Sequence, residues 1–410
     1  MNAHLFSLAI MILIFSGCSK KSESVNQKPN LNFTPVIEGL TVTLTGSAID
    51  NDGTISKLTI AWGDNKTDKY INNDFTTIEL NHTYLVPATY NILITTCDNE
   101  GDSVSRSIPV TVDFKETSLA GIKESMFKTS ENEFLVLTLN IHTYQETQQN
   151  EKFNLITDLI GKMDVDFIAF QECAQNKSSV ITEGIIRKDN MALIISDRLN
   201  EKYNADYNYT WNWAHYGWTV WEEGVAELSK HPLIDSDDRY VSSGTSVYNI
   251  TSRKVIYSAY QTPKGRINIF SAHTHWRISL TDEEQNNQIR NIKSMVTEKE
   301  SLSPDAVSFV CGDFNSNPTS DYPWSEGYNT MMLNNDYKDT FFEIYPGANT
   351  RPAQSTYYTV GGDLPGRIDY IFMKNNAHFT VTDSQIIFKN DVVGTVSDHY
   401  GVLTKVAYIK

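Results

Sequence analysis

The chain reads as a small all-β unit followed by a larger segment in which strands and helices alternate, an α/β (α+β) pattern. Three observations carry this reading. Between about 33 and 114, short apolar runs are punctuated by Asp, Asn and Gly turn clusters. From Phe134 onward, β-branched apolar runs alternate with stretches whose apolar residues recur at helical spacing. The 410 residues are 40% hydrophobic and 20% charged, enough for more than one packed core.

Residues 1–18 are read as a leader. Positions 5–15 form an almost unbroken apolar run, too short to cross a bilayer as a stable helix. The run stops at Phe15-Ser16-Gly17-Cys18, and small residues directly before a cysteine resemble the lipobox of a bacterial lipoprotein signal. The resemblance implies a signal peptide at 1–18, lipidation at Cys18, and a lipid-anchored place in the bacterial cell envelope, periplasmic or on the outer surface. Residues 19–32, rich in Lys, Ser, Asn and Gln, are expected to be a flexible tether. Cys97, Cys173 and Cys311 remain. Their odd number implies no disulfide framework, and Cys173 and Cys311 read as small buried hydrophobes at strand ends. The formal charge of −16 and pI near 5.0 argue against a sequence-independent grip on nucleic acid, which depends on Lys and Arg neutralising phosphates. A local basic groove is not excluded.

In the β unit, strands are expected at 40–44, 56–62, 76–80, 90–96 and 105–112, separated by turns such as Asp50-Asn51-Asp52-Gly53 and Asp98-Asn99-Glu100-Gly101. These spacings suit a small β-sandwich. Asp50, Asp52 and Asp64 read as turn formers in preference to calcium ligands, because Asp bonds its own backbone in turns. The stretches 48–55, Trp62-Gly63-Asp64, His82-Thr83-Tyr84 and Ala88-Thr89-Tyr90 resemble a PKD domain, an immunoglobulin-like module. The resemblance covers 33–114 and implies a spacer or binding module. Residues 115–131 are expected to link it to the second unit, 132–410.

In that unit, a strand at 134–139 ends at Asn140-Ile141-His142, and Phe153, Ile156, Leu159, Ile160 and Met163 then mark a helix over 151–163. The next strand, 166–170, ends at Gln171-Glu172. Asn190 is placed to cap a helix bearing Met191, Ile194, Ile195, Leu199 and Tyr203. Tyr207, Tyr209, Trp211 and Trp213 alternate with polar residues, as in a half-buried strand. Tyr216, Trp218 and Trp221 follow in a Gly-containing loop, where a substrate-facing aromatic lip and local packing are both open readings. Strands over 223–233, 254–260 and 266–272 lead to His273-Thr274-His275-Trp276. Thr281 and Glu284 form a capping box for a helix carrying Ile289, Ile292 and Met295. A strand at 307–311 then ends in Gly312-Asp313-Phe314-Asn315. After a loop-rich aromatic stretch, 322–366, come Arg367-Ile368-Asp369-Tyr370 and a last strand pair enclosing Ser397-Asp398-His399-Tyr400.

Polar side chains thus collect at strand ends: Asn140, Glu172, His273, Asp313, Asn315, Asp369, Asp398 and His399. Any one has a structural reading as a cap, a turn or an ion pair. So many together are harder to dismiss, because buried polar groups are costly without partners. Asp313 and Asn315 share one side of an extended segment, so a carboxylate and an amide can face one reacting group. In their order, Leu139-Asn140, Gln171-Glu172, Ser271-Ala272-His273, Gly312 to Asn315, Arg367 to Tyr370 and Ser397-Asp398-His399 resemble the endonuclease/exonuclease/phosphatase superfamily over roughly 133–410. The resemblance implies a four-layered sandwich, two packed β-sheets with helices outside, and cleavage of phosphoester bonds with a divalent metal. That metal is usually magnesium (Mg), with Mn or Ca as alternatives. It also implies that Glu172, Asn140 and Asp398 serve the metal, that Asp313 orients or deprotonates the attacking water, and that Asn315 holds water or phosphate. His399, held by Asp369, would act as general acid, base or cationic clamp, and His273 would bond the phosphate. His275 stands where many relatives carry Asp, and joins Trp218 and Trp221 as a candidate substrate contact.

The expected substrate is a small or lipid- or glycan-linked phosphoester. The acidic balance and the lack of an Arg/Lys cluster near the motifs disfavour polymeric DNA, while Trp218, Trp221 and Trp324 suit a headgroup or glycan. A secreted-side nuclease on DNA or RNA is one alternative, and a catalytically inactive binding module the other. The chain is expected to be monomeric, with the membrane reached through Cys18.

Overall fold

The computed structural model describes residues 25–320, 324–351, 353–362 and 365–409. The leader, Cys18 and the first part of the tether lie outside the described residues. The chain divides into two units between Asp113 and Phe114.

The first unit is all antiparallel β: β1 (Asn30–Glu38), β2 (Thr41–Ile49), β3 (Ile55–Ala61), β4 (Thr67–Ile71), β5 (Ile78–Thr83), β6 (Ala88–Asp98) and β7 (Ser103–Val112). They make one sheet of order β1-β2-β5 and another of order β4-β3-β6-β7. Val42 and Leu44, Leu58 and Ile60, and Ile92 and Ile94 are buried at every second position, the alternation a pleated strand imposes. Two strands lie outside the expected set. β1 starts within the expected tether, where Asn26 already donates to Asp98 and Asp102; in it only Phe33 is fully buried, so little alternation marks it. β4 is an edge strand with no buried residue, and its Thr-Asp-Lys-Tyr-Ile text reads as loop.

The second unit begins earlier than expected. Residues 114–131 belong to it and are not a free linker. Met126 is fully buried in its core, and Lys123 bonds Asp383, Tyr345 and the Ser384 carbonyl. The elements that follow are β8 (Glu133–Asn140), α1 (Gln149–Met163), β9 (Phe167–Asn176), the short pair β10 (Ile181–Glu183) and β11 (Ile186–Arg187), α2 (Met191–Tyr203), β12 (Asn208–Gly217) and β13 (Trp221–Ser229). Then come β14 (Leu233–Tyr240), β15 (Lys254–Thr262), β16 (Gly265–His273), α3 (Glu284–Ser301), β17 (Val307–Asp313) and α4 (Glu326–Met332). The chain ends with β18 (Tyr337–Asp339), α5 (Thr340–Ile344), β19 (Asp369–Lys374), β20 (Phe379–Ile387) and β21 (Gly401–Tyr408).

Two six-stranded sheets result, β12-β13-β9-β8-β21-β20 and β14-β15-β16-β17-β19-β18. Each carries one parallel pair, β8 with β9 and β16 with β17, flanked by antiparallel neighbours. A helix, α1 or α3, makes each parallel crossover. Val136, Phe167, Ile269, Phe309 and Val402 fill the space between the sheets. Ile156, Leu159, Ile195 and Leu199 of α1 and α2 pack on the outside of the first sheet, and Ile289, Ile292 and Met331 of α3 and α4 on the outside of the second. This is the expected four-layered sandwich. Among the described residues, the three cysteines are free and no helix is long and apolar enough to cross a membrane.

Asn190 caps α2 as expected, accepting the Leu193 N–H. The cap of α3 differs. Asp282, not Thr281, accepts the Glu284 N–H, and the Glu284 carboxylate is drawn off to Ser243.

Candidate active site

Both parallel pairs deliver their C-terminal ends to one place. His273 and Asp313 are directly paired at the ends of β16 and β17, and Asp369 is paired to Asp313 at the start of β19. Gly312 makes the approach possible: at φ +151° it lies against β16 so closely that a Cβ would meet the Ala272 carbonyl oxygen at 1.8 Å. From the first sheet, Asn140 ends β8. Glu172 is not at a strand end as expected. β9 runs on to Asn176, and Glu172 is the extra residue of a bulge, at φ 48°, where the register to β13 shifts between Gln171 and Cys173. A bulge re-aims one side chain without ending the strand.

These side chains meet. The Asn140 amide donates to Glu172 Oε1 at 2.9 Å and Asp313 Oδ2 at 3.3 Å, while its Oδ1 accepts the His142 N–H. Asn140 therefore reaches the carboxylates with nitrogen, and its oxygen is engaged. Asp313 Oδ1 accepts the Asn315 N–H at 2.8 Å, and its Oδ2 lies 3.5 Å from His273 Nε2 and 3.8 Å from His399 Nε2. His399 Nδ1 bonds both oxygens of Asp369, at 3.0 and 3.1 Å. The Asn315 side chain donates to the Thr274 carbonyl and lies 3.2 Å from His273 Nε2.

Burial sets the charges. It pushes the Asp313 carboxyl up to about 7, with the neighbouring charge of Asp369 adding to the rise, and Glu172 up to about 8, with Glu223 adding. Burial also presses down on the His399 imidazolium, but the charge and hydrogen bond of Asp369 prevail and hold it well above the usual histidine range. His273 is held well below that range by burial and by Arg253.

Behind the carboxylates lies a group that no motif announced. Glu223 pairs with His215 at 3.1 Å and accepts from Thr143 at 2.8 Å, and the buried Arg253 lies 3.3 Å from the same His215. His215, Glu223, Arg253 and His273 line one small gap. The Arg253 Nε has no partner there. A signal was available at Glu222-Glu223, because adjacent carboxylates within a strand put one on each face, and the one that faces inward requires a buried partner.

The remaining expected residues are placed differently. Asp398 is half exposed and stands in a neighbouring group with His142 and Glu146, 3.4 Å from His142 Nδ1. Trp221 is not a substrate lip: it stacks on Tyr144, centroids 4.7 Å apart, against the first outer core. His275 is buried, its backbone held by Gln288 and Gln285 and its ring beside Trp276, so it does not face substrate. Trp218 is exposed at the tip of the β12–β13 hairpin, its ring 6.1 Å from His142.

Residues 137–399, more than half of the chain, match the family described as Endonuclease/Exonuclease/phosphatase. The chain belongs to this family. Its members are typically metal-dependent phosphoester hydrolases. Among solved structures, an endonuclease/exonuclease/phosphatase family protein from Leptotrichia buccalis is similar with a TM-score of 0.58 and 24% identity, covering 67% of this chain and all of that one. A family protein from Beutenbergia cavernae aligns with a TM-score of 0.51 and 17% identity, covering 68% of this chain and 72% of that one. At these identities the likeness is one of fold. No curated protein matches the chain.

Proposed function

We propose that the second unit is a divalent-metal-dependent phosphoester hydrolase, exported and held in the cell envelope through Cys18, acting on a small or lipid- or glycan-linked phosphoester. The line Asp369–His399–Asp313 beside Glu172 carries this reading. Asp313, buried, with Oδ1 held by the Asn315 N–H and Oδ2 directed between His273 and His399, is placed as a base that takes a proton from water. His399, kept cationic by Asp369, supplies a charge and a proton donor 3.8 Å from that base. Neutral His273 and the Asn315 amide are the polar contacts for a phosphate oxygen. Asn140 positions both carboxylates by donating to each.

A cation suits the donor set. The Glu172 carboxylate would hold it, with His273 and Asp313 alongside, the three ligand-capable atoms all within 4.8 Å of one another. Two carboxyls pushed up by burial and like charge are what a hard cation relieves. Magnesium is the proposed ion, and when bound it would stabilise charge on the phosphate oxygens and the leaving group. The first unit, with its PKD-like sequence, is proposed as a spacer.

On a water-soluble aryl phosphodiester with magnesium, Asp313→Asn and His399→Ala are each expected to lower turnover about a hundredfold or more, with circular dichroism unchanged. Near-normal turnover in either variant removes the assignment. A panel of plasmid DNA, inositol phosphates and sphingomyelin separates the proposed substrates from nucleic acid, and no hydrolysis of any of them leaves a binding module.

A further inference from the structure

The loops bordering one side of the site are built inside out. In the loop between β16 and α3, the Arg277 side chain is 1% exposed, paired with Glu326 and Glu283 and bonded to the Ser279 and Leu280 carbonyls. Its neighbours Ile278 and Leu280 are 67% and 65% exposed. The loop before β15 repeats the arrangement: Arg253 is buried over the Trp276 ring, whereas Tyr248 and Ile250 are 85% and 51% exposed. Water selects the reverse, guanidinium outward and aliphatic inward. The tips are also held in place. Asp282 accepts the Ile278 N–H, Tyr216 N–H donates to the Val247 carbonyl at 2.7 Å, and Ser252 bonds the Ser246 carbonyl.

These loops adjoin. The Tyr216 and Tyr248 rings are 5.7 Å apart, and Gln288 of α3 reaches the Thr251 carbonyl. Trp218, on the hairpin beside Tyr216, approaches His142, which contacts Asp398 next to His399. Trp218, Tyr248, Ile250, Trp276, Ile278 and Leu280 are thus exposed apolar side chains on adjoining loops that rim the site on this side.

We propose that this rim is a lipid-interface surface that seats the catalytic unit on an uncharged, zwitterionic bilayer, so that its substrate is a phosphoester carried by a lipid. The proposal rests on the phosphoester reading of the site and narrows its substrate. Trp and Tyr settle at headgroup level, while Ile and Leu enter the acyl boundary. Both arginines of the two inside-out loops are buried, and the exposed Lys177 beside the hairpin is tied to the Thr219 carbonyl and lies over the Tyr216 ring; with that single lysine, and a net charge of −16, an anionic membrane or nucleic acid is disfavoured. The anchor proposed at Cys18 would keep the chain beside such a surface.

The chain from Ser19 onward retains every packed element described above and serves for the test. It is expected to co-sediment with phosphatidylcholine vesicles. Ile278→Ser/Leu280→Ser and, separately, Tyr248→Ser/Ile250→Ser are expected to weaken that binding roughly tenfold or more at an unchanged melting temperature. Leu85→Ser/Val86→Ser, exposed apolar residues of the first unit, should bind as wild type. Failure of the wild type to co-sediment overturns the proposal, and is the outcome if the rim receives a protein or glycan. Binding that requires added phosphatidylglycerol, or that both rim variants retain, also overturns it. Hydrolysis of the soluble aryl phosphodiester is scored separately: its absence in wild type sinks the phosphoester reading, whereas vesicle binding decides the rim.

Discussion

Asp166 shows how much one carboxylate can hold. Its Oδ2 accepts from the Leu135 N–H and from Lys128, its Oδ1 pairs with His231 at 3.0 Å, and Lys230 lies 3.4 Å away. Asp164 shares both lysines. Burial pushes the Asp166 carboxyl up, but the His231 hydrogen bond and the charges of Lys128 and Lys230 hold it below the usual range. A depressed folded-state pKa stabilises above the unfolded value, near 4, and that stability is lost as pH falls through the folded value. Asp166→Asn is therefore expected to cost about 3 kcal/mol at neutral pH and to flatten the acid limb of stability, as read by urea unfolding between neutral pH and about pH 3. At this scale the sequence is legible where a residue ends a strand. Asp313 and His273 could be named because polar groups at such points need a reason, and His399 because it stands just ahead of β21. Glu223 is signalled only by its place in the Glu222-Glu223 doublet, and its pairing with His215 across the β12–β13 hairpin, like the approach of Arg253 before β15 to the same His215, follows from strand register that no local pattern states.

The elements show where local signals suffice. Asn190 and the apolar stripe of α2 predict that helix, and Asn190→Ala should cost about 1 kcal/mol in thermal unfolding. Glu172 reads as a strand end in the sequence because a bulge has no period of its own: the residues on either side remain strand, and only the pairing with β13 reveals the extra position. The Thr281–Glu284 box failed because Ser243, remote in sequence, competes for the glutamate. Gly312 is the element-scale requirement of the site. Gly312→Ala puts a methyl into the Ala272 carbonyl, and is expected to destabilise by about 3 kcal/mol and to depress turnover even in the folded fraction, because β16 and β17 carry His273 and Asp313. Native-like turnover per folded molecule would contradict this.

At the scale of the whole molecule, alternation of strands and helices predicted an α/β unit, but the four layers followed only from the order of the motifs. Residues 114–131 looked like a linker for want of regular structure, yet Met126 and Lys123 fasten them to the second unit. No local pattern encodes the partner of β8 on its other side. That partner is β21, with Thr138 opposite Val402. Deleting 401–410 should leave β8 an unpaired edge, and the product is expected in the insoluble fraction, whereas residues 25–113 alone should remain soluble; soluble, cooperatively melting truncated chain would overturn this. The consequence reaches into the protein's manufacture. The first unit can fold as soon as it emerges, but the sheet that begins with β8 has to wait for the last strand of the chain. A nascent chain thus has an open, sticky sheet for most of its synthesis, a state that chaperones can hold until β21 arrives.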